Sequence, residues 1–330
     1  MLIKNAFIYL LLLFTLTKIS AQELYFREFK PDISNSPEHI YKILQDKNGF
    51  IWLGTEKGLL QFDGINYTYF NTPKSNTITS LFQDDSAKIW QGYKDGHISY
   101  LHNGKNTDFK PKEGLPKVAI NAILEDKDKR IWFATYGEGV YYWEKNRLYN
   151  INTVNGLTDN YTYDLAINNS GNIYVATDRG ITKIHISNGK KMLQQINQNN
   201  GLPDNLVTSL NLENDLLNIG TQSGGFCIYD IKKENIIINK SNWEFGQINT
   251  QKYQAQTGLL IGTNTHGLLQ IDRKTGEILH HYNRENLFGI SKITDQFNDK
   301  NGNSWIAGGT QNVCFANSDF SIINLNDFPE

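Results

Sequence analysis

Short hydrophobic segments recur along the chain at a nearly constant spacing, and polar or glycine-containing turns separate them. Most of these segments carry an aromatic or large apolar residue in second place and a small residue in fourth place. The second place falls at residues 52, 90, 132, 174, 218, 260 and 305, so the mean step between copies is about 42 residues. A repeat of that length, built from several short strands, is typical of a β-propeller, and seven copies predict seven blades.

One copy, residues 40 to 70, shows how each repeat predicts four strands. The first strand begins at Ile40 and is placed innermost, next to the propeller axis. A turn at residues 46–49 (Asp-Lys-Asn-Gly) follows, because Asp and Asn bond the local backbone and Gly accepts positive φ. Ile51–Thr55, Gly58–Phe62 and Tyr67–Phe70 are then the second, third and outermost strands. The predicted fold class is all-β, a seven-bladed β-propeller with four-stranded antiparallel blades.

The seventh blade needs an outermost strand from elsewhere in the chain. The segment Leu24 to Phe29 resembles the outermost strand Tyr67–Phe70 and precedes the first innermost strand. We predict that it pairs with the seventh blade and closes the ring, which protects open sheet edges. The segment Ser321 to Leu325 competes for the same place.

Length and charge favour a single domain without nucleic-acid binding, and the cysteines are predicted to be free. Seven repeats account for the 330 residues, so we expect one propeller over residues 22–330. The net charge is −2 and the basic residues are scattered, so no nucleic acid is expected as a partner. Cys227 and Cys314 lie in repeats that are not adjacent, which predicts two free, buried thiols rather than a disulfide.

The first residues have the pattern of a signal peptide. Lys4 supplies a positive charge, and the apolar run from Ala6 to Leu16 is short for a membrane span. Ser20 and Ala21 offer small residues before Gln22. We expect residues 1–21 to be a signal peptide and the protein to be periplasmic or secreted; an uncleaved anchor is the alternative.

Three recurring features have a structural and a functional interpretation. The repeated residues Trp52, Trp90, Trp132 and Trp305 could form a platform for sugars, but one large residue per repeat is more typical of the core between blades. The Asp-containing turns could bind calcium, yet they lack the ligand spacing of a dedicated loop and are more simply hairpin turns. The histidines show no metal spacing, and the sequence has no nucleophile elbow or phosphate loop. We therefore expect no catalytic residues, no metal and no cofactor.

The pattern Ile-x-x-Ile-x-Gln-Asp-x-x-Gly-x-Ile-Trp-x-Gly-Thr-x-x-Gly-Leu occurs almost intact from Ile40 to Leu59. It closely resembles the two-component regulator propeller repeat, which builds the periplasmic sensor region of hybrid histidine kinases in Bacteroidetes-type bacteria. The resemblance implies a sensing role, with oligosaccharides from polysaccharide breakdown as ligands. We expect no kinase domain in this chain, so kinase activity is not carried over. The chain is then either the front of a split or truncated sensor or a binding module that works alone.

A ligand site is predicted on the face opposite the Asp-containing turns. The loops between second and third strands and the links between blades converge there around the axis, and they vary while the framework repeats. Their charges, amides and aromatic rings suit a hydroxyl-rich ligand. The residues predicted to bind it are Tyr93, Tyr136, Glu138, Asp178, Arg179 and His266, and Tyr161 is a further candidate for stacking.

Three classes of function remain open at this point. The first is a periplasmic ligand-sensing propeller without chemistry. The second is an enzyme on the same scaffold, either acting on glycans or resembling a streptogramin lyase, and the third is a secreted platform for protein–protein interaction. The expected partners are an oligosaccharide or another small polar ligand, further sensor or kinase segments encoded nearby, and a second copy of the chain in a homodimer.

Overall fold

A computed structural model describes residues 24–31, 33, 36–70, 77–254 and 257–317, which form seven four-stranded antiparallel sheets. The predicted signal peptide (residues 1–21) and the segment Ser321 to Leu325 lie outside these residues. The innermost strands are β2 (Ile40–Gln45), β6 (Ile78–Gln83), β10 (Ile120–Glu125), β14 (Thr162–Ile167), β18 (Val207–Glu213), β22 (Ile248–Gln254) and β26 (Ile293–Asn298). The second strands are β3 (Ile51–Thr55), β7 (Ile89–Tyr93), β11 (Ile131–Thr135), β15 (Ile173–Thr177), β19 (Leu216–Thr221), β23 (Gly258–Thr263) and β27 (Ser304–Gly308).

The outer half of each blade repeats in the same way. The third strands are β4 (Gly58–Phe62), β8 (Ile98–His102), β12 (Val140–Glu144), β16 (Gly180–Ser187), β20 (Phe226–Asp230), β24 (Leu268–Ile271) and β28 (Val313–Ala316). The outermost strands are β5 (Tyr67–Phe70), β9 (Lys105–Asp108), β13 (Arg147–Ile151), β17 (Lys190–Ile196), β21 (Asn235–Lys240), β25 (Ile278–Tyr282) and β1 (Phe26–Phe29). Short 3-10 turns at Thr153–Asn155 and Gln198–Asn200 lie in two of the links between blades. Seven blades of four antiparallel strands confirm the predicted fold class.

The ring closes through the innermost strands and through β1. Each innermost strand contacts that of the next blade, and β26 contacts β2. Strand β1 pairs antiparallel with β28, with Phe26 opposite Ala316 and Phe29 opposite Val313. The ring of Phe29 lies 5.5 Å from those of Phe62 and Trp305, which fixes this strand against blades one and seven. The predicted closing strand is thus confirmed, although it begins at Phe26.

The repeated tryptophans and aspartates form one structural unit. The indole Nε1 donates a hydrogen bond to the turn aspartate six residues earlier, at 2.8 Å from Trp132 to Asp126 and at 3.0 Å from Trp305 to Asp299. The same bond occurs in the two blades that carry Trp52 and Trp90. All four indoles are buried between blades. This burial excludes the sugar-platform interpretation for these residues.

The aspartate of each such turn is also bound by its own turn. In blade three, Asp126 accepts hydrogen bonds from the backbone N–H groups of Asp128 and Arg130 at 2.9 and 3.0 Å. The Arg130 side chain, only 5% exposed, adds an Nε bond of 2.6 Å to the same carboxylate. Because local donors occupy these oxygens, the turns are structural hairpin turns, as predicted.

Both cysteines lie in the core. Cys227 and Cys314 are buried and free, which confirms the prediction of two unpaired thiols. Burial raises the pKa of the Cys314 thiol to about 12 and raises that of Cys227 further, so neither is an active nucleophile at neutral pH. The described part of the chain contains no helix that is long and apolar enough to span a membrane.

Candidate functional site

A pocket of about 540 Å³ surrounds the axis on the face opposite the Asp-containing turns. Each blade contributes the second residue of its innermost strand, β2 adds Lys42, and the loops add four more side chains. We call this the axial pocket; its lining residues are Tyr41, Lys42, Thr79, Asn121, Tyr136, Tyr163, Thr208, Gln247, Asn249, Asn264, Lys292 and Thr294. Hydroxyl, amide and ammonium groups from all seven blades therefore meet at one point.

A β-bulge places these second residues. The pairing of the innermost with the second strand shifts register within the first residues of every blade. Such a bulge leaves one residue outside the regular hydrogen-bond pattern of the two strands and changes the direction of its side chain. The freed side chain can then point along the ring of blades instead of into its own sheet.

Five of the seven second residues hydrogen-bond to the next blade. The acceptor in each case is the carbonyl of the first residue of the next innermost strand, and the distances run from 2.6 to 2.8 Å. We call this set the inner ring. Its donors are the side chains of Thr79, Asn121, Thr208, Asn249 and Thr294. The inner ring fixes the spacing of the blades around the pocket mouth.

Tyrosines occupy the two remaining positions. The hydroxyl of Tyr163 donates a 2.6 Å hydrogen bond to Asp178, and burial together with that carboxylate raises the Tyr163 pKa. The pKa of Tyr41 is also raised, by burial and by the charge of Glu56. Asp178 and Glu56 each follow the second strand directly, so in blades one and four a carboxylate at the same position acts on the tyrosine of the innermost strand, through a hydrogen bond at Asp178 and through its charge at Glu56.

Two carboxylates lie close to the lining residue Lys42. The Lys42 ammonium lies 3.5 Å from Asp295, whose second oxygen accepts the Ile43 N–H at 3.0 Å. Burial alone would lower the pKa of Lys42, but the negative charges of Asp295 and Asp164 outweigh it and raise the pKa. Burial is also the main influence on Asp164 and raises the pKa of its carboxyl, although the Leu210 N–H donates to it at 2.8 Å.

The raised pKa of Asp164 predicts a pH-dependent stability. The carboxyl binds a proton more readily in the folded chain than in the unfolded chain. Its contribution to the free energy of unfolding is therefore most favourable at pH values below its ordinary pKa of about 4, and this contribution is lost as the pH rises through the raised pKa of the folded state. We expect the stability of Asp164→Asn relative to the wild type to increase between pH 4 and pH 7. Urea unfolding of both proteins across this range measures the difference. A relative loss for Asp164→Asn as the pH rises would show that attraction to Lys42 outweighs burial.

Three predicted site residues lie at or beside the axial pocket. Tyr136 lines the pocket with half of its surface exposed, and its ring lies 5.1 Å from that of Tyr161 and 6.1 Å from that of Tyr163. Asp178 meets this cluster through the Tyr163 hydroxyl. Arg179 is exposed, and its Nε lies 3.2 Å from Asp159. The structure thus brings Tyr136 and Asp178 together around Tyr163.

The other three predicted residues do not line the axial pocket. Tyr93 is fully buried, and its hydroxyl bonds to Gln91 at 2.9 Å, so its side chain is not available to a ligand. Glu138 accepts a 2.8 Å bond from the Tyr141 hydroxyl in the same blade. The Nδ1 atom of His266 lies 3.1 Å from the Phe245 carbonyl oxygen, between blades five and six.

Sequence reasoning missed most of the pocket lining. The second residues of the innermost strands are short polar or tyrosine side chains in all seven copies, which is visible once the repeats are aligned. The alternation of a strand assigns them to one face of the blade, whereas the bulge turns them towards the axis. In the described part of the chain, no group of three or more His, Cys, Asp and Glu side chains could hold a metal ion.

Comparison with known proteins supports the repeat assignment. Residues 35–57 and 114–137 match the family model of the two component regulator propeller. The chain is 22% identical to the extracellular domain of a candidate hybrid two-component system from B. thetaiotaomicron, with a TM-score of 0.73, over 88% of this chain and 40% of that one. A second such domain from that organism gives 19% identity and a TM-score of 0.74, over 89% and 42% of the two chains. This chain therefore spans about two fifths of their length.

Propeller enzymes share the same architecture. Virginiamycin B lyase from Staphylococcus aureus is 13% identical, with a TM-score of 0.73 over 89% of this chain and 99% of the lyase. No curated protein sequence matches the chain. At these identities the solved structures establish the fold alone, whereas the two matched segments identify the repeat. The chain is a seven-bladed propeller, and two of its segments match the two component regulator propeller model.

Proposed function

We propose that this protein is an exported ligand-sensing propeller that binds a hydroxyl-rich ligand, such as an oligosaccharide, in the axial pocket. The observation that carries the proposal is the lining itself. All seven blades present hydroxyl, amide or ammonium groups to one pocket, and an exposed tyrosine stands at its edge. Polar groups that converge on a preformed pocket, together with an aromatic surface, are what a binding site for a polyhydroxylated molecule needs.

Sensing is supported by the kind of protein that shares the fold and the repeat. Two similar solved structures are extracellular domains of candidate hybrid two-component systems, and the matched family is a regulator propeller. Those domains are extracellular, which is consistent with an exported location for this protein. Ligand binding without chemistry also suits the described lining, which consists of Tyr, Thr, Asn, Gln and Lys side chains. The lyases share the fold but offer no residue-level support for catalysis here.

A screen of oligosaccharides by thermal shift, on a chain beginning at residue 22, tests this proposal, because a ligand that binds only the folded state raises its melting temperature. We expect Tyr136→Ala to weaken binding of a confirmed ligand by about tenfold, the loss of one aromatic contact of ~1.4 kcal/mol. Its effect on stability should be small because the side chain is half exposed. Isothermal titration calorimetry measures the affinity.

Two further variants test on which face of the propeller the ligand binds. Arg179→Ala should also weaken binding, since Arg179 follows Asp178 in the loop next to Tyr163. Lys127→Ala is the control, because Lys127 is exposed in the Asp126 turn on the opposite face. Loss of affinity in the control, with unchanged affinity in Tyr136→Ala, would place the ligand on the turn face and contradict the proposal.

A further inference from the structure

The only charged side chains among the described lining residues of the axial pocket are two lysines. Lys42 lies on β2 in blade one, and Lys292 directly precedes β26 in blade seven, so they approach the pocket from neighbouring blades. The remaining lining residues are uncharged tyrosine, threonine, asparagine and glutamine side chains. The pocket lining is therefore cationic on one side.

Lys42 keeps hydrogen-bonding capacity for a ligand. Its ammonium has three donors, and the 3.5 Å distance to Asp295 exceeds the 2.7–2.9 Å that is usual for a charge-assisted bond. Asp295 is itself held by the Ile43 N–H at 3.0 Å. The lysine side chain is 30% exposed. A ligand group that enters the pocket can therefore accept a hydrogen bond from the Lys42 ammonium, because Asp295 occupies only part of the hydrogen-bonding capacity of that ammonium.

Lys292 has no side-chain partner in the part of the chain that the structure describes. Only its backbone carbonyl is bonded, by the Gly309 N–H at 3.0 Å. Its side chain is exposed at the edge of the pocket. An unpaired ammonium beside a partly paired one favours an anion over a neutral ligand.

The carboxylates around the mouth already have partners. Glu56 accepts the N–H groups of Glu38 and His39 at 2.7 and 3.0 Å. Asp178 accepts the Tyr163 hydroxyl, and Asp159 pairs with Arg179. None of these three carboxylates belongs to the described pocket lining. Asp295 and Asp164, outside the lining, offset part of the charge of Lys42, so the exposed Lys292 contributes most of the positive charge that the pocket presents to a ligand.

We infer that the ligand is an acidic saccharide, whose carboxylate or sulfate group is bound between Lys42 and Lys292 while its hydroxyls contact the polar lining. This inference rests on the proposed function and specifies the ligand class of the same site. Carboxylate and sulfate share the chemistry that matters, a compact anion with several acceptor oxygens.

The test compares matched acidic and neutral sugars by isothermal titration calorimetry. One pair is digalacturonate and galactobiose, and the other is N-acetylglucosamine 6-sulfate and N-acetylglucosamine. We expect the acidic member of at least one pair to bind at least tenfold more tightly than its neutral partner. The preference should shrink as sodium chloride is raised, because salt screens exposed charges. The pair that responds distinguishes a carboxylate from a sulfate.

Lysine variants connect that preference to the site. Lys292→Gln is expected to lower the affinity for the acidic sugar about tenfold and to leave that for the neutral sugar unchanged, and Lys42→Gln should act in the same direction. Lys127→Gln, on the opposite face, is the matched control for loss of one positive charge. Because the Lys292 side chain is exposed and has no partner among the described residues, its variant is expected to fold normally, which circular dichroism and a melting curve verify.

The possible results separate the two proposals. Equal binding of the acidic and neutral members, or an equal effect of Lys292→Gln on both, would leave saccharide sensing in place and overturn the acidic specificity. Tighter binding of the neutral members would overturn it as well. If no member of either pair binds, the acidic specificity is overturned, and the broader oligosaccharide screen then decides the proposed function independently.

Discussion

Trp132→Ala is expected to lower the free energy of unfolding by about 3–5 kcal/mol, the usual cost of removing a large aromatic side chain from a core. Trp132 is fully buried, and its ring stacks on Tyr142 at 4.9 Å. Its Nε1 also donates to Asp126 at 2.8 Å. The substitution therefore leaves a cavity between two blades and removes one of the four hydrogen bonds that Asp126 accepts. Urea unfolding followed by circular dichroism measures the loss.

Trp132→Phe separates the two effects. Phenylalanine keeps an aromatic ring but removes the indole N–H, so we expect a smaller loss of about 1–3 kcal/mol, mainly from the lost hydrogen bond to the Asp126 carboxylate, which Arg130 still contacts. Equal losses for the Ala and Phe variants would assign the whole effect to the hydrogen bond. A Trp132→Ala protein with wild-type stability and impaired ligand binding would instead revive the sugar-platform interpretation.

Asp126→Ala is expected to cost a similar amount, about 3–5 kcal/mol, because it removes the main partner of a buried positive charge. The Arg130 side chain is only 5% exposed, and its Nε lies 2.6 Å from Asp126. Asp128 and Glu144, at 2.7 and 3.6 Å from other guanidinium nitrogens, would remain as partial partners. Thermal and urea unfolding provide the measurement.

Asp46→Ala is the matched control in blade one. Asp46 accepts the same turn bonds, from the N–H groups of Asn48 and Phe50 and from the Trp52 indole, but no arginine in the described part of the chain contacts it. We expect a loss of about 1–3 kcal/mol there. The double variant Asp126→Ala/Arg130→Met should recover part of the stability lost in Asp126→Ala, since the unpaired charge is gone. Equal losses at Asp46 and Asp126 would contradict the role given to Arg130.

The blades could be predicted from the sequence because each strand and turn is determined locally. The turn aspartate, the following tryptophan and the glycine that opens the third strand recur at fixed offsets, and each has a physical role within a single blade. Gly139 illustrates this, because it has a φ of 79° and a Cβ there would lie 2.3 Å from the Ile151 carbonyl oxygen. The closing strand was also predictable, from its likeness to an outermost strand.

The site was harder to predict because it depends on where side chains point at the ends of strands. Tyr93 was expected in a loop, yet it is the last residue of β7 and corresponds to the buried Thr135 and Thr177 of later blades. Aligning the repeats on those threonines would have placed its ring inside the fold. The bulge of the innermost strands, which creates the pocket lining, leaves no comparable mark in the hydrophobic pattern.

The closure of the ring has a consequence for how the chain folds. Strand β1 precedes the other 27 described strands, and its partner β28 is the last of them. Strand β1 is synthesised before the other described strands, so it must wait, with its edge unpaired, until β28 has been delivered. Contacts of such large sequence separation slow folding, and an unpaired edge invites wrong partners meanwhile. The pairing of Phe26 with Ala316 therefore forms late in folding. We expect accessory factors that shield extended segments to matter most before this pairing forms.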